Sequence, residues 1–367
     1  MRVLNKESLR NIVTGATLYG AGGGGSPKDG LDLVEKIFKV REGVKLVDPS
    51  EISDETHVAM IAGIGAPKAL REKGFDIEAI YAFDALKRLY DSVGIELSHL
   101  MPGEIGGFNT ITPMYVAAMK DLPVVDADGN GRAVPELATC LYPLYRVPLT
   151  PLVLADKNGN VVVFYPKDPF DARICEDIAR SVTVTFGMIA AFGTWVVSGA
   201  KLRESLVLNS VTKCEEVGKA INEAVSRGTD PVKAAVEASG GYELIRGEII
   251  DISTKTVAGF DFGRTTIEGI DQYSGKKLVI DFKNENMIAW NEKNEPVAMV
   301  PDLICLMTLD GSPLTNADTE KGMKIAVIGI PANEKWRKHP KGYEVWTHIL
   351  EKMGYTGPYK PIEELVK

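Results

Sequence analysis

The chain is poor in the residues that build zinc sites. It has four cysteines and four histidines in 367 residues, all scattered. Cys140, Cys175, Cys214 and Cys305 form no Cys-x-x-Cys pair, which argues against a Cys/His zinc site, and no metal is expected. Basic residues do not predominate either. Lys and Arg number 42 against 50 Asp and Glu, a formal charge of −8, whereas nucleic-acid and anionic-membrane surfaces need clustered cations. The start, Met1-Arg-Val-Leu-Asn-Lys-Glu7, has no apolar signal core before charge resumes, so a cytoplasmic address is expected. Low-complexity tracts and convincing internal repeats are absent from the sequence.

Long apolar runs are scarce too. Val182–Ala200 carries no formal charge and approaches the length of a membrane span, but Gly187, Gly193, Gly199 and several Thr and Ser lower its apolarity. A buried helix near an interface is the better expectation. Gly187 and Ala191 are small enough to admit a neighbouring helix or subunit, and a homo-oligomer is expected.

What the chain does have is alternation. Three short apolar runs, Val58–Ile64, Ile95–Leu97 with Leu100, and Val124–Val125, each end in a loop rich in glycine and charge. The loops are Gly63-Ile-Gly-Ala-Pro-Lys68, Pro102-Gly-Glu-Ile-Gly-Gly-Phe-Asn109 and Asp126-Ala-Asp-Gly-Asn-Gly-Arg132. Helical patterns lie between them, including Phe75–Val93 and a stretch starting near Thr112-Pro113. Such β-α-β-α-β order predicts parallel neighbouring strands, with ligands at their carboxyl ends. A hairpin is expected at Leu152–Leu154 and Val161–Phe164. The length suggests two domains, drawn at 1–168 and 169–367. In the second, helices are expected over about 170–238, a mainly β unit over about 242–330 as a sandwich or barrel, and a terminal helix at Tyr343–Met353.

Three motifs carry candidate chemistry. Gly20-x-Gly22-x-x-Gly25 has dinucleotide-loop spacing, but a helix precedes it where a strand is required, and Ser26-Pro27 replaces the Lys-Ser/Thr of a phosphate loop. No cofactor is expected. Two readings stay open: Gly22, Gly23, Gly24 and Gly25 expose amides to an anion or developing oxyanion, or they simply make a tight turn. Asp126-x-Asp128-x-Asn130-Gly131 opens like a calcium loop, yet the twelfth position is Leu137 and Glu136 falls one place early. Glu104 and Asn109 share the second loop, where Asn109 is either a helix cap or a donor to a substrate carbonyl.

Gly15-Ala-Thr-Leu-Tyr-Gly-Ala-Gly-Gly-Gly-Gly-Ser-Pro27, Gly65-Ala-Pro67, Gly106-Gly-Phe-Asn109 with Pro113, and Pro123-Val-Val-Asp-Ala-Asp-Gly-Asn-Gly-Arg-Ala-Val-Pro-Glu136 together resemble the S-methyl thiohydantoin desulfurase family. That family was long described as a domain of unknown function and is associated with hydantoinase/oxoprolinase-type proteins. The resemblance implies an N-terminal three-layer α/β domain and a C-terminal part built on a β-barrel. It also implies a small cyclic amide substrate that loses a methylthio group or is opened. Such chemistry needs activated water, an acid and hydrogen-bond donors. On loop position, Asp128 and Glu136 are expected as base and acid, with Asp126 orienting one of them. Arg132, Asn109, Glu104 and Gly22–Gly25 are expected to bind substrate. The alternative is a non-catalytic ligand-binding subunit that pairs with a hydantoinase/oxoprolinase-type partner.

Overall fold

The computed structural model describes residues 1–65, 70, 72–257 and 259–366. The Ala66–Lys68 end of the first strand-end loop therefore lies outside the described residues. The first sheet has eight strands: β1 (Arg2–Leu4), β2 (Val44–Val47), β3 (His57–Gly65), β4 (Leu97–Met101), β5 (Val124–Val125), β7 (Leu152–Ala155), β8 (Val161–Phe164) and β9 (Ile189–Ser198). Their order is β1-β2-β5-β4-β3-β9-β7-β8, and the adjacent strands β2, β5, β4 and β3 are parallel, while β6 (Ala127–Asp128) and β10 (Val207–Leu208) pair with each other in a separate antiparallel ribbon. The three apolar runs are thus neighbours in one sheet. The second strand sits slightly later than its pattern suggests, because Ile95 precedes it and Leu97–Met101 makes the pairing.

Both faces of this sheet are covered. Along β3, Ala59 and Ile61 join a core with helices Lys6–Tyr19, Ile77–Asp91 and Ile111–Lys120. Val58, Met60 and Ala62 point the other way, toward helix Ala172–Thr185 and the Cys140–Val147 segment. Alternation of side chains along a strand with both neighbours apolar explains why β3 reads as an unbroken hydrophobic run.

The expected buried helix at Val182–Ala200 is corrected. Its second half is β9, central in the sheet and antiparallel to β3 and β7. Helix Ala172–Thr185 stops at a turn in which Gly187 and Met188 both have positive φ, and a short apolar run beyond such a break is equally consistent with a buried strand. Among the described residues no helix is long and apolar enough to cross a membrane.

The C-terminal part carries a second eight-stranded sheet, wholly antiparallel. In chain order its strands are β11 (Tyr242–Val257), β12 (Phe260–Gly269), β13 (Lys277–Lys283), β14 (Glu285–Trp290), β15 (Pro296–Met299), β16 (Leu303–Thr308), β17 (Pro313–Leu314) and β18 (Lys324–Ile330). The expectation of a barrel is corrected: no closed ring of strand pairing forms among the described residues, and β15 and β17 end the sheet. The sheet nevertheless curls until β14 lies near β16, and side chains bridge the gap. Asn286 Nδ2 donates to the Ile304 carbonyl at 2.8 Å. The terminal helix is also shorter than expected, Thr347–Lys352 after a 3₁₀ turn.

Arg132 locks this seam to the first domain. It is wholly buried, and its Nη1 donates to the carbonyls of Pro301 at 2.9 Å and Asp302 at 3.0 Å. Nε donates to the Ala133 carbonyl at 2.9 Å and Nη2 to that of Asn286 at 3.4 Å. The guanidinium also stacks over Trp346. Removing a buried charge that satisfies several carbonyls leaves them unpaired, at a cost of about 3–5 kcal/mol. Arg132→Met should therefore lower unfolding free energy in urea by about that amount. A loss below about 1 kcal/mol, the worth of one ordinary hydrogen bond, would contradict the role given to this side chain.

Candidate active site

The carboxyl end of β3, the loop after β4 and the glycine-rich turn between the first two helices meet strands β11–β14 of the second sheet around a cavity of about 810 Å³. The turn is held by backbone bonds to three distant segments. The Gly24 carbonyl accepts from Phe108 and Asn109 N–H, the Ala21 carbonyl from Asn286 and the Gly22 carbonyl from Asn316. Gly24 and Gly106 pack backbone to backbone; a Cβ on Gly24 would lie 2.4 Å from the Gly106 Cα. Gly23 is pressed against Glu285, where a Cβ would fall 1.9 Å from Oε1. The turn therefore does more than reverse the chain. It lets two carboxyl-bearing segments approach the same point.

Those carboxyls belong to Glu104 and Glu285. Glu104 Oε1 accepts from Asn109 Nδ2 at 2.8 Å and Oε2 from the Val134 N–H at 3.0 Å. Asn109 is oriented in turn by the Gly63 N–H, which donates to its Oδ1 at 3.1 Å. It thus neither caps the following helix nor leaves its amide free. Glu285 is buried, and its Oε2 has no hydrogen-bond partner among the described residues. Burial pushes the Glu104 carboxyl above the ordinary range, opposed by its two hydrogen bonds and by Arg132. Glu285 is pushed up by burial and by the charge of Glu104, again opposed by Arg132. Both acids therefore favour the protonated form more than a free carboxyl does, and each influences the titration of the other.

The other wall is apolar. Met60 and Ile64 of β3, Val184 of the Ala172–Thr185 helix, and Met188, Phe192 and Trp195 all line the cavity. Trp195 has φ +46 at a bulge where β9 loses register with β3, and it stacks on Tyr142 with centroids 4.2 Å apart. The β11–β12 hairpin closes over this side, where Arg180 Nη1 donates to the Gly259 carbonyl at 3.1 Å and its guanidinium lies over Phe260.

Of the remaining expected site residues, Glu136 reaches the cavity wall and Asp126, Asp128 and Arg132 do not. Asp128 is fully buried and accepts from the Asn130 N–H at 2.7 Å and from the Gly131 N–H, a self-contained turn off the cavity wall. Burial raises its carboxyl to about 7. Asp126 anchors the helix Ser210–Arg227 by accepting from the Thr212 N–H and hydroxyl. Glu136 does line the cavity, but it is engaged by Lys283 and, at 2.9 Å, by His348 Nε2. Arg132 lies behind the wall. The structure thus brings together Gly22–Gly25, Glu104 and Asn109, and adds Glu285, Asn316 and Trp195, which pattern reading missed. The signal for Glu285 was the polar run Lys283-Asn-Glu-Asn286 between two strands, which resembles an ordinary turn. Among the described residues no cluster of three or more His, Cys, Asp or Glu is placed to hold a metal ion.

An α/β layer joined to a curled antiparallel sheet, with two buried acids on the cavity at their junction, does not by itself fix a reaction. The family is fixed by comparison. Residues 7–166 match the S-Me-THD-like N-terminal domain and residues 171–362 the S-Me-THD-like C-terminal domain, so the chain belongs to the S-methyl thiohydantoin desulfurase-like family. It is also similar to a crystal structure of a protein from Chromobacterium violaceum, with 25% identity and a TM-score of 0.86 over 99% of this chain and 100% of that one. No curated protein matches it significantly.

A raised carboxyl makes a signed prediction. The unfolded chain releases the Glu285 proton near pH 4.3, whereas the folded chain holds it to higher pH. The stability it contributes is full below the unfolded value and is lost as pH rises through the folded one. The melting temperature of Glu285→Gln should therefore gain on that of the native protein between pH 5 and 8. Parallel melting curves across this range would refute the buried, protonated state.

Proposed function

We propose that the protein is a hydrolase acting on a thiohydantoin-like or hydantoin-like cyclic amide, with Glu104 as general base and Glu285 as general acid. The observation that carries this is the pairing of the two buried carboxyls across the glycine turn, on the wall of one cavity. Their environments separate the roles. Hydrogen bonds from Asn109 and Val134 favour an ionised Glu104, while Glu285 has an unpartnered oxygen and a negative neighbour, which favour its proton. The roles expected of Asp128 and Glu136 pass to these two residues.

On an S-methyl thiohydantoin, water adds to the ring carbon that bears sulfur and gives its proton to Glu104. The C–S bond then breaks, and Glu285 supplies the proton that releases methanethiol and leaves a hydantoin. Charge developing on the ring falls beside the turn, where the N–H groups of Gly22, Gly24 and Gly25 have no acceptor among the described residues.

Removing a general acid or base typically lowers turnover about 10²–10⁴-fold. Glu104→Gln and Glu285→Gln should each show such a fall in methanethiol release while remaining folded by circular dichroism. Glu136→Gln should retain most activity. Native turnover in both Glu104→Gln and Glu285→Gln would end this mechanism.

A further inference from the structure

One side chain on the cavity has no part in the proton transfers. Asn316 follows β17 and opens a 3₁₀ turn, Asn316–Asp318, that lines the cavity. Its backbone is fixed twice. Asp318 Oδ2 accepts from the Thr315 N–H at 3.2 Å and from the Thr315 hydroxyl at 2.6 Å, which closes the turn. The Asn316 N–H donates to the Gly22 carbonyl at 2.8 Å, which docks this turn on the glycine-rich one. A side chain on a backbone held from both sides is preorganised for a ligand.

The orientation of its carboxamide follows from its neighbours. Asn316 Nδ2 donates to the Asn284 carbonyl at 2.7 Å. A carbonyl oxygen only accepts, so the atom facing it is nitrogen and the opposite atom is oxygen. Asn284 is tied in turn to β12. Its N–H donates to the Asp261 carbonyl at 2.8 Å, and its Oδ1 accepts from the Asp261 N–H at 2.9 Å. On the other side the carboxamide packs on Gly22, where a Cβ would lie 2.6 Å from Nδ2 and 3.0 Å from Cγ. Thus oriented, Oδ1 is enclosed and has no hydrogen-bond partner among the described residues. Folded proteins leave few enclosed acceptors unpaired. An amide oxygen, unlike a carboxylate, cannot satisfy itself by taking up a proton near neutral pH. The donor comes from outside the chain.

Resting on the hydrolase reading above, we infer that Asn316 determines specificity: its Oδ1 accepts the hydrogen of an unsubstituted ring N–H. An S-methyl thiohydantoin keeps one such N–H, on a nitrogen bonded to the carbon that bears sulfur, and the hydantoin product has two. Asn316 therefore holds substrate and product by one edge of the ring. Methyl in place of that hydrogen removes the donor and leaves Oδ1 against carbon, at a cost of about 10–100-fold in affinity.

The test is calorimetric binding of hydantoin, 1-methylhydantoin and 3-methylhydantoin to native protein and to Asn316→Leu and Asn316→Ala. Leu copies the branched shape of Asn without an acceptor, Ala removes the group outright, and circular dichroism checks that each variant is folded. The native protein should bind at least one methylated ring about 10–100-fold more weakly than hydantoin. In the variants hydantoin should lose its advantage over that ring. Equal binding of all three rings by the native protein, or an advantage that survives in a folded variant, overturns this inference and leaves the hydrolase reading standing. Failure of the native protein to bind any ring overturns both.

Discussion

The guanidinium of Arg132 is the contact on which the site depends. It is charged, wholly enclosed and held by four backbone carbonyls drawn from both halves of the chain. Burial lowers its own pKa to about 10, so it keeps its proton at neutral pH. That fixed charge sits behind Glu104 and Glu285 and offsets the penalty of burying two acids in one place. Without it the curled sheet would lack its tie at the seam and the acids would lack their counter-charge. Stability and site electrostatics are joined in one side chain.

The glycine turn solves a separate problem of approach. A carboxyl pair needs two segments brought together from opposite domains, and side chains on the intervening turn would hold them apart. At Gly23 and Gly24 the space that a Cβ would fill is already taken by Glu285 and by Gly106. The motif is a tight turn, and its compactness is what lets the Glu285 side chain and the Gly106 backbone pack against it. Asn109 fixes the other side by spanning Gly63 and Glu104, which ties the end of β3 to the acid.

The parallel strands were legible because each is short, apolar and followed by a glycine-rich loop, so local pattern and tertiary role coincide. A cavity lies where the same logic expects a ligand, and Glu104, Asn109 and Gly22–Gly25 line it. Asp128 was harder to read. An Asp-x-Asp-Gly-x-Gly loop exposes acids in many proteins, and nothing local reveals that Asn130 and Gly131 amides fold back onto this one. Arg132 misled for a similar reason, since only its long-range partners at residues 286, 301 and 302 show that it is enclosed. Glu285 comes from a strand that lies 181 positions beyond Glu104. Pairing across that separation is set by the seam of the second sheet, which no local periodicity encodes. β9 escaped because a run of buried apolar residues fits a helix or a central strand equally well.

The most direct test of this account is a crystal structure of the protein with a non-hydrolysable hydantoin bound. The account predicts the ring between Glu104 and Glu285, within hydrogen-bond distance of both carboxyls and beside the Gly22–Gly25 turn. A ring seated instead at Glu136, Lys283 and His348, with Glu104 and Glu285 untouched, would contradict it.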